Sequence, residues 1–104
     1  MGRPRHARPD QNQSQIIEEL ESLGFVVFNV SQLAHLGYDL VVVGFHRRWL
    51  LPIPLLVEVK TDGGELTDRE AEVQAEMQYR FKSEAPIITA YRAEDVLDWF
   101  NARQ

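Results

Sequence analysis

The chain has 104 residues, 44% of them apolar and 26% charged, which is one globular domain's worth of polypeptide. Eleven basic residues against sixteen acidic leave a net charge of −5, so charge alone does not nominate a nucleic-acid binder, and the absence of cysteine excludes disulfides, thiolate metal sites and a cysteine nucleophile. No apolar run approaches the roughly 20 residues that span a bilayer, and MGRPRHARPD lacks the apolar core of a signal peptide, so a cytoplasmic protein that meets no membrane is expected.

Residues 1–10 form a basic arm ahead of a single domain over 11–104. Arg3, Arg5 and Arg8 against Asp10 give it a local charge of +2. Such an arm can touch phosphates; Gly2, Pro4 and Pro9 oppose regular structure and favour the plainer reading of a solvated terminus. Ile16, Ile17, Leu20 and Leu23 then recur on one helical face, which predicts a helix over 11–23, with Asp10 as N-cap, Gln13 three residues on and Gly24 as the stop. The nearly continuous apolar run Phe25 to Val30 predicts a strand covered on both faces. Ser31 to Gly37 has no period and reads as a loop.

Tyr38 to Gly44, YDLVVVG, predicts a second strand, since β-branched residues suit a pleated surface. FHRRWLLPIP follows, with a cationic tip at His46, Arg47 and Arg48 and two prolines that deny the ladder two donors, so a long hairpin connection is expected. Leu55 to Lys60, LLVEVK, is the third strand and TDGGE a turn. Thr67 and Glu70 make a T-x-x-E capping box for a helix ending near Lys82, with Val73, Met77, Arg80 and Phe81 along one side. PIITAY, 86–91, predicts a fourth strand. Ala93 to Asn101 predicts a closing helix with Glu94 and Asp95 at its positive end and Val96, Leu97 and Phe100 inward. The order is α-β-β-β-α-β-α.

Asp39, Glu58 and Lys60 break the pattern, because each sets a charge in a strand that otherwise reads as buried. An unpaired buried ion costs several kcal/mol, so such groups need partners or a metal. Alternation places Glu58 and Lys60 on one face and Leu55, Val57 and Val59 on the other. If the strands holding Asp39 and Glu58 pair antiparallel, the two carboxylates converge. With a backbone carbonyl between Glu58 and Lys60, they then suit a hard divalent cation that keeps waters and meets phosphate oxygens. The competing reading makes Asp39 a turn residue and Glu58 with Lys60 an ordinary pair on a solvated face; spacing alone leaves the two balanced.

GYDLVVVG, then LLVEVKTDGGELTDREAEVQ, then PIITAY, together resemble the PD-(D/E)XK nuclease superfamily, and within it the small stand-alone VRR-NUC domains and Holliday-junction resolvases. The resemblance covers residues 11–101. It implies an α/β fold with the restriction-endonuclease-like core, α-β-β-β-α-β plus a C-terminal helix, as a mixed sheet flanked by helices. Carried onto this chain, it makes Asp39, Glu58 and Lys60 catalytic, with Mg²⁺ or Mn²⁺ held by Asp39, Glu58 and the Val59 carbonyl. Tyr38 stands where the motif proline is usual. Gln13 stands where relatives often place a first-helix glutamate, and can bond a metal-bound water or cap the helix. Glu70 is weighed as a cap rather than a ligand; Gln74 is the better substrate contact, with Thr61 and the arm's Arg3, Arg5 and Arg8 as further candidates. His6, His35 and His46 lack ligand-spaced partners and read as solvated, and Trp49 and Trp99 as core or interface fillers.

The expected protein is therefore a Mg²⁺- or Mn²⁺-dependent DNA endonuclease, structure-specific for junctions or branches, with DNA and a second copy of itself as partners. A weak or inactive nuclease-fold module for nucleic-acid binding or assembly is the alternative, and a protein-interaction domain without a nucleic-acid role is a remoter one.

Overall fold

A computed structural model describes residues 9–61 and 63–103. Three helices and four strands follow in the order α1 (Pro9–Ser22), β1 (Val26–Asn29), β2 (Leu40–His46), β3 (Leu51–Val59), α2 (Asp68–Phe81), β4 (Ile87–Ala90) and α3 (Ala93–Asn101). The chain is thus an α/β domain with one four-stranded mixed sheet, ordered β1-β2-β3-β4. The first three strands form an antiparallel meander, and β4 joins parallel to β3 after the α2 crossover. Among the described residues no helix is long and apolar enough to cross a membrane.

The core lies on one face of the sheet. Ile16 and Leu20 of α1 and Val96 and Phe100 of α3 close over Leu40 and Val42 of β2 and Leu55, Val57 and Val59 of β3. Chain alternation thus sorts β3 as expected, with the odd residues in the core. Gly44 makes this closure possible, since a Cβ there would lie 2.6 Å from the Phe25 ring and 2.9 Å from Phe100. On the other face α2 crosses beside β4, and none of its residues is fully buried.

Several expectations change. Asp10 lies inside α1 rather than capping it. β1 is not covered on both faces: it is the sheet edge, and Val26 and Phe28 are 53% and 54% exposed because no helix lies over them. The loop after β1 holds a short 3-10 turn, Ala34–Leu36. Along α2, the Phe81 end of the apolar stripe is exposed. His46 is not in a solvated tip: it ends β2, buried, its ring stacked on Trp49 and its Nδ1 accepting the Trp49 N–H.

The long hairpin is also shorter than expected. Pro52 and Pro54 lie within β3, opposite Phe45 and Val43, and only Arg47 to Leu50 form the turn. Parity explains this. Leu56 and Lys60 donate their N–H groups toward the β4 side, so the nitrogens of Pro52 and Pro54 point the same way, beyond the start of β4, and no ladder donor is lost.

Candidate functional site

The site forms where β2 begins and β3 ends. The antiparallel ladder reaches Leu40 opposite Val57, and the Asp39 N–H donates to the Val57 carbonyl at 2.9 Å. The next donor along that edge of β3 is the Val59 N–H, and the Asp39 carboxylate takes it, Oδ2 accepting at 2.9 Å. Asp39 therefore extends the ladder with its side chain. The Val59 carbonyl lies on the same edge, because the two polar groups of a strand residue point the same way.

Glu58 faces α2 and is 2% exposed. Its Oε2 lies 3.4 Å from Lys60 Nζ, which in turn lies 2.9 Å from Glu70 Oε1. Glu70 is thus more than a cap. The capping box with Thr67 is present, Oε1 accepting the Thr67 N–H at 2.8 Å, and the same carboxylate reaches across to β3. Two carboxylates, Glu58 and Glu70, flank one ammonium, a hydrogen bond joins Glu58 to Glu70, and the Asp39 charge acts on Glu58 from beside it.

The electrostatics follow from this crowding. Burial, the Glu70 hydrogen bond and the negative charges of Asp39 and Glu70 push the Glu58 carboxyl up to about 8, against the smaller pull of Lys60. At neutral pH Glu58 keeps its proton and donates it toward Glu70. For Glu70, burial acts upward but loses to the Thr67 N–H and the Lys60 ammonium, which hold it below the usual carboxylate range. For Lys60, burial acts downward but loses to the Glu70 hydrogen bond and the Glu58 charge, which raise it.

The other sequence-derived candidates divide. Gln74 Nε2 donates to Thr89 Oγ1 at 2.7 Å, and Thr89 sits opposite Glu58 in the β3–β4 register, so Gln74 borders the cluster. Thr61 opens the turn after β3, its carbonyl accepting the Gly64 N–H. Gln13 turns elsewhere, its Nε2 donating to Asn29 Oδ1 and Ser31 Oγ at 3.2 and 3.0 Å. Arg3, Arg5 and Arg8 lie outside the described residues. Two residues were missed. Asn12 Nδ2 donates to the Lys60 carbonyl at 3.0 Å and ties α1 to the end of β3, and Thr89 anchors Gln74. The signal for Asn12 is its place one turn ahead of Ile16 and two ahead of Leu20 on the buried stripe, where a polar side chain needs a partner.

Gly37 sets the position of α2 over this cluster. Its φ is +81°, and a Cβ there would meet Val73 Cγ2 at 2.7 Å. Arg69 Nε closes the same contact on the His35 carbonyl at 2.8 Å.

Among the described residues no three His, Asp or Glu side chains converge into a group that could hold a metal ion by themselves. The donor set at the strand ends is instead two carboxylates, Asp39 and Glu58, with a backbone carbonyl beside them. A hard cation that keeps several waters needs no more protein ligands than that, and Glu58 would have to give up its proton to be one of them. The residues present fit the group to that extent. No family model, curated protein or solved structure matches the chain.

Proposed function

We propose that the chain is a Mg²⁺- or Mn²⁺-dependent DNA endonuclease with the PD-(D/E)XK core, and that Asp39, Glu58, the Val59 carbonyl and Lys60 are its working groups. The observation that carries this reading is the buried Glu58, 2% exposed, sharing one lysine with Glu70 and lying within reach of the Asp39 charge. A structural pair would need one carboxylate per ammonium; the surplus is what a cation site requires. The element order and the mixed sheet are compatible with the α-β-β-β-α-β core that the sequence resemblance implies.

Asp39, Glu58 and the Val59 carbonyl would hold the cation. When bound, it supplies Lewis acidity toward a phosphate and toward water. Asp39 is positioned for this by the Val59 N–H, which leaves Oδ1 for a ligand. Glu58 must release its proton on loading. Lys60 is already ionised, and Glu70 aims its ammonium to steady an attacking water or the charge gathering on a phosphate. Gln74, fixed by Thr89, borders the site as a substrate contact.

The non-catalytic binding or assembly module keeps two observations in its favour: Lys60 is engaged by two carboxylates, and the Gln13 amide is committed to Asn29 and Ser31 rather than to the cluster. Incubation of the protein with plasmid, splayed duplex and four-way junction, with and without Mg²⁺ or Mn²⁺, separates the two. Cation-dependent cleavage is expected, lost in Asp39→Asn, which keeps an acceptor for the Val59 N–H, and in Glu58→Gln and Lys60→Ala. Absence of cleavage on every substrate, or wild-type rates in Asp39→Asn and Glu58→Gln, would refute the enzyme.

A further inference from the structure

The sheet face that carries Glu58 is covered by α2 only toward β4. Toward β1 it is bare. Cross-strand register sets Val26 opposite Val43, Val43 opposite Pro54, and Phe45 opposite Pro52, all on this face, with Phe28 beside Val26 on β1. Val26, Phe28 and Phe45 are 53%, 54% and 57% exposed, and both prolines are exposed. Singly exposed apolar residues are ordinary on any protein, but a contiguous cross-strand set next to a bare sheet edge is not.

We propose that this face, built on Val26, Phe28, Val43, Phe45, Pro52 and Pro54, is the interface of a two-fold homodimer.

Charge and area both point to a second copy. The chain carries −5, so most of its surface repels its own copy, yet on this face β1, β2 and the proline half of β3 hold no charged side chain. An uncharged, self-complementary patch is what an isologous contact uses. Within this chain, the eight residues ahead of α1, MGRPRHAR, are too basic and too poor in large apolar side chains to fill it.

Phe28 and Phe45 leave roughly 100 Å² each in solvent, and with the two valines and two prolines the patch comes to about 450 Å². Interfaces are about 60% apolar by area, so such a centre with its polar rim corresponds to about 750 Å² per chain, close to the ~800 Å² per partner of a stable complex. Glu58 lies farther along β3 on this same face, so each candidate site would sit beside the contact rather than inside it.

Sedimentation of the full chain at micromolar concentration tests this, against the chain mass of 12.0 kDa. Twice that mass is expected, with Phe28→Glu and Phe45→Glu each weakening the dimer at least about thirtyfold. Both positions are more than half exposed, so both variants should stay folded, as melts followed by circular dichroism would report. Trp49→Glu, in the turn next to the patch but with its ring stacked on His46 of the opposite face, should leave the dimer intact. A monomeric mass for the wild type, or a dimer that survives both face variants while Trp49→Glu dissociates it, would overturn the proposal. The cleavage assays are independent of this result, since each chain carries its own Asp39, Glu58 and Lys60.

Discussion

Raising the pH through neutrality should weaken the metal-free protein, and Glu58→Gln should remove most of that loss. In the folded chain the Glu58 carboxyl is pushed up to about 8, first by burial, whereas an unfolded chain leaves it near the ordinary 4.5. Between those values the folded state holds a proton that the unfolded state has released. The contribution to stability is therefore complete below about pH 4.5, declines as pH rises, and is gone above about pH 8. At about 1.4 kcal/mol per unit this window corresponds to roughly 3 to 5 kcal/mol, the lower value allowing for the partial exposure of Lys60 and Glu70. A domain of this size has only about 5 to 15 kcal/mol in all, so the melting temperature should fall by roughly 10 °C or more between pH 5 and pH 8. Glu70, held low, loses its contribution below this window, and Lys60, held high, above it, so neither blurs it. Thermal melts in chelator across that range, wild type against Glu58→Gln, isolate the effect. Glutamine keeps a donor for Glu70 and should give the flatter profile. Adding Mn²⁺ at pH 8 should raise the wild-type melting temperature and leave the variant nearly unmoved. Parallel pH profiles for the two proteins would show that Glu58 is ionised in the fold and that the cluster has been misread.

Three further outcomes test the surrounding frame. Glu70→Gln keeps the Thr67 cap acceptor but removes the stronger partner of Lys60, so stability should fall by about 1 kcal/mol and the Glu58 titration should move to lower pH in the same melts; an unmoved profile would make Glu70 a cap alone. Gly37→Ala meets both a φ of +81° and the Val73 side chain, and should cost about 1 to 3 kcal/mol by urea denaturation; a neutral result would mean that α2 is not seated there. Leu50 holds a φ of 56° in the hairpin turn and is 75% exposed, so Leu50→Gly should stabilise by about 1 kcal/mol in that assay, and a loss would show that the exposed leucine has a packing partner.

Much of this fold was legible because local chemistry and tertiary context agree. The Thr67–Glu70 capping box marks the start of α2, and α3 runs from Ala93 to Asn101 as its apolar spacing requires. Alternation in LLVEVK sorted Glu58 and Lys60 from the core side of β3. What failed depends on neighbours. An apolar run reads alike whether it is central or at an edge, so VVF of β1 gave no sign that Val26 and Phe28 face solvent. Prolines signal a broken ladder, but whether a ladder exists on the side of their nitrogens is settled by strand order, which no local window contains.

The same distinction governs the candidate site. Asp39, Glu58 and Lys60 announce themselves because a charge in a buried strand is a local contradiction. Glu70 does not, because a capping box already accounts for it, and only the crossing of α2 over the end of β3 gives its carboxylate a second partner. The addition changes the chemistry: with Glu70 the cluster holds one more negative charge than Lys60 and a single pairing could satisfy, and Glu58, the most buried member, is the group that must take up a proton. A domain selected for stability alone would carry an apolar residue at 58, a position that is 2% exposed beneath α2. The charge imbalance, rather than any single carboxylate, is thus the feature on which the proposed cation site rests.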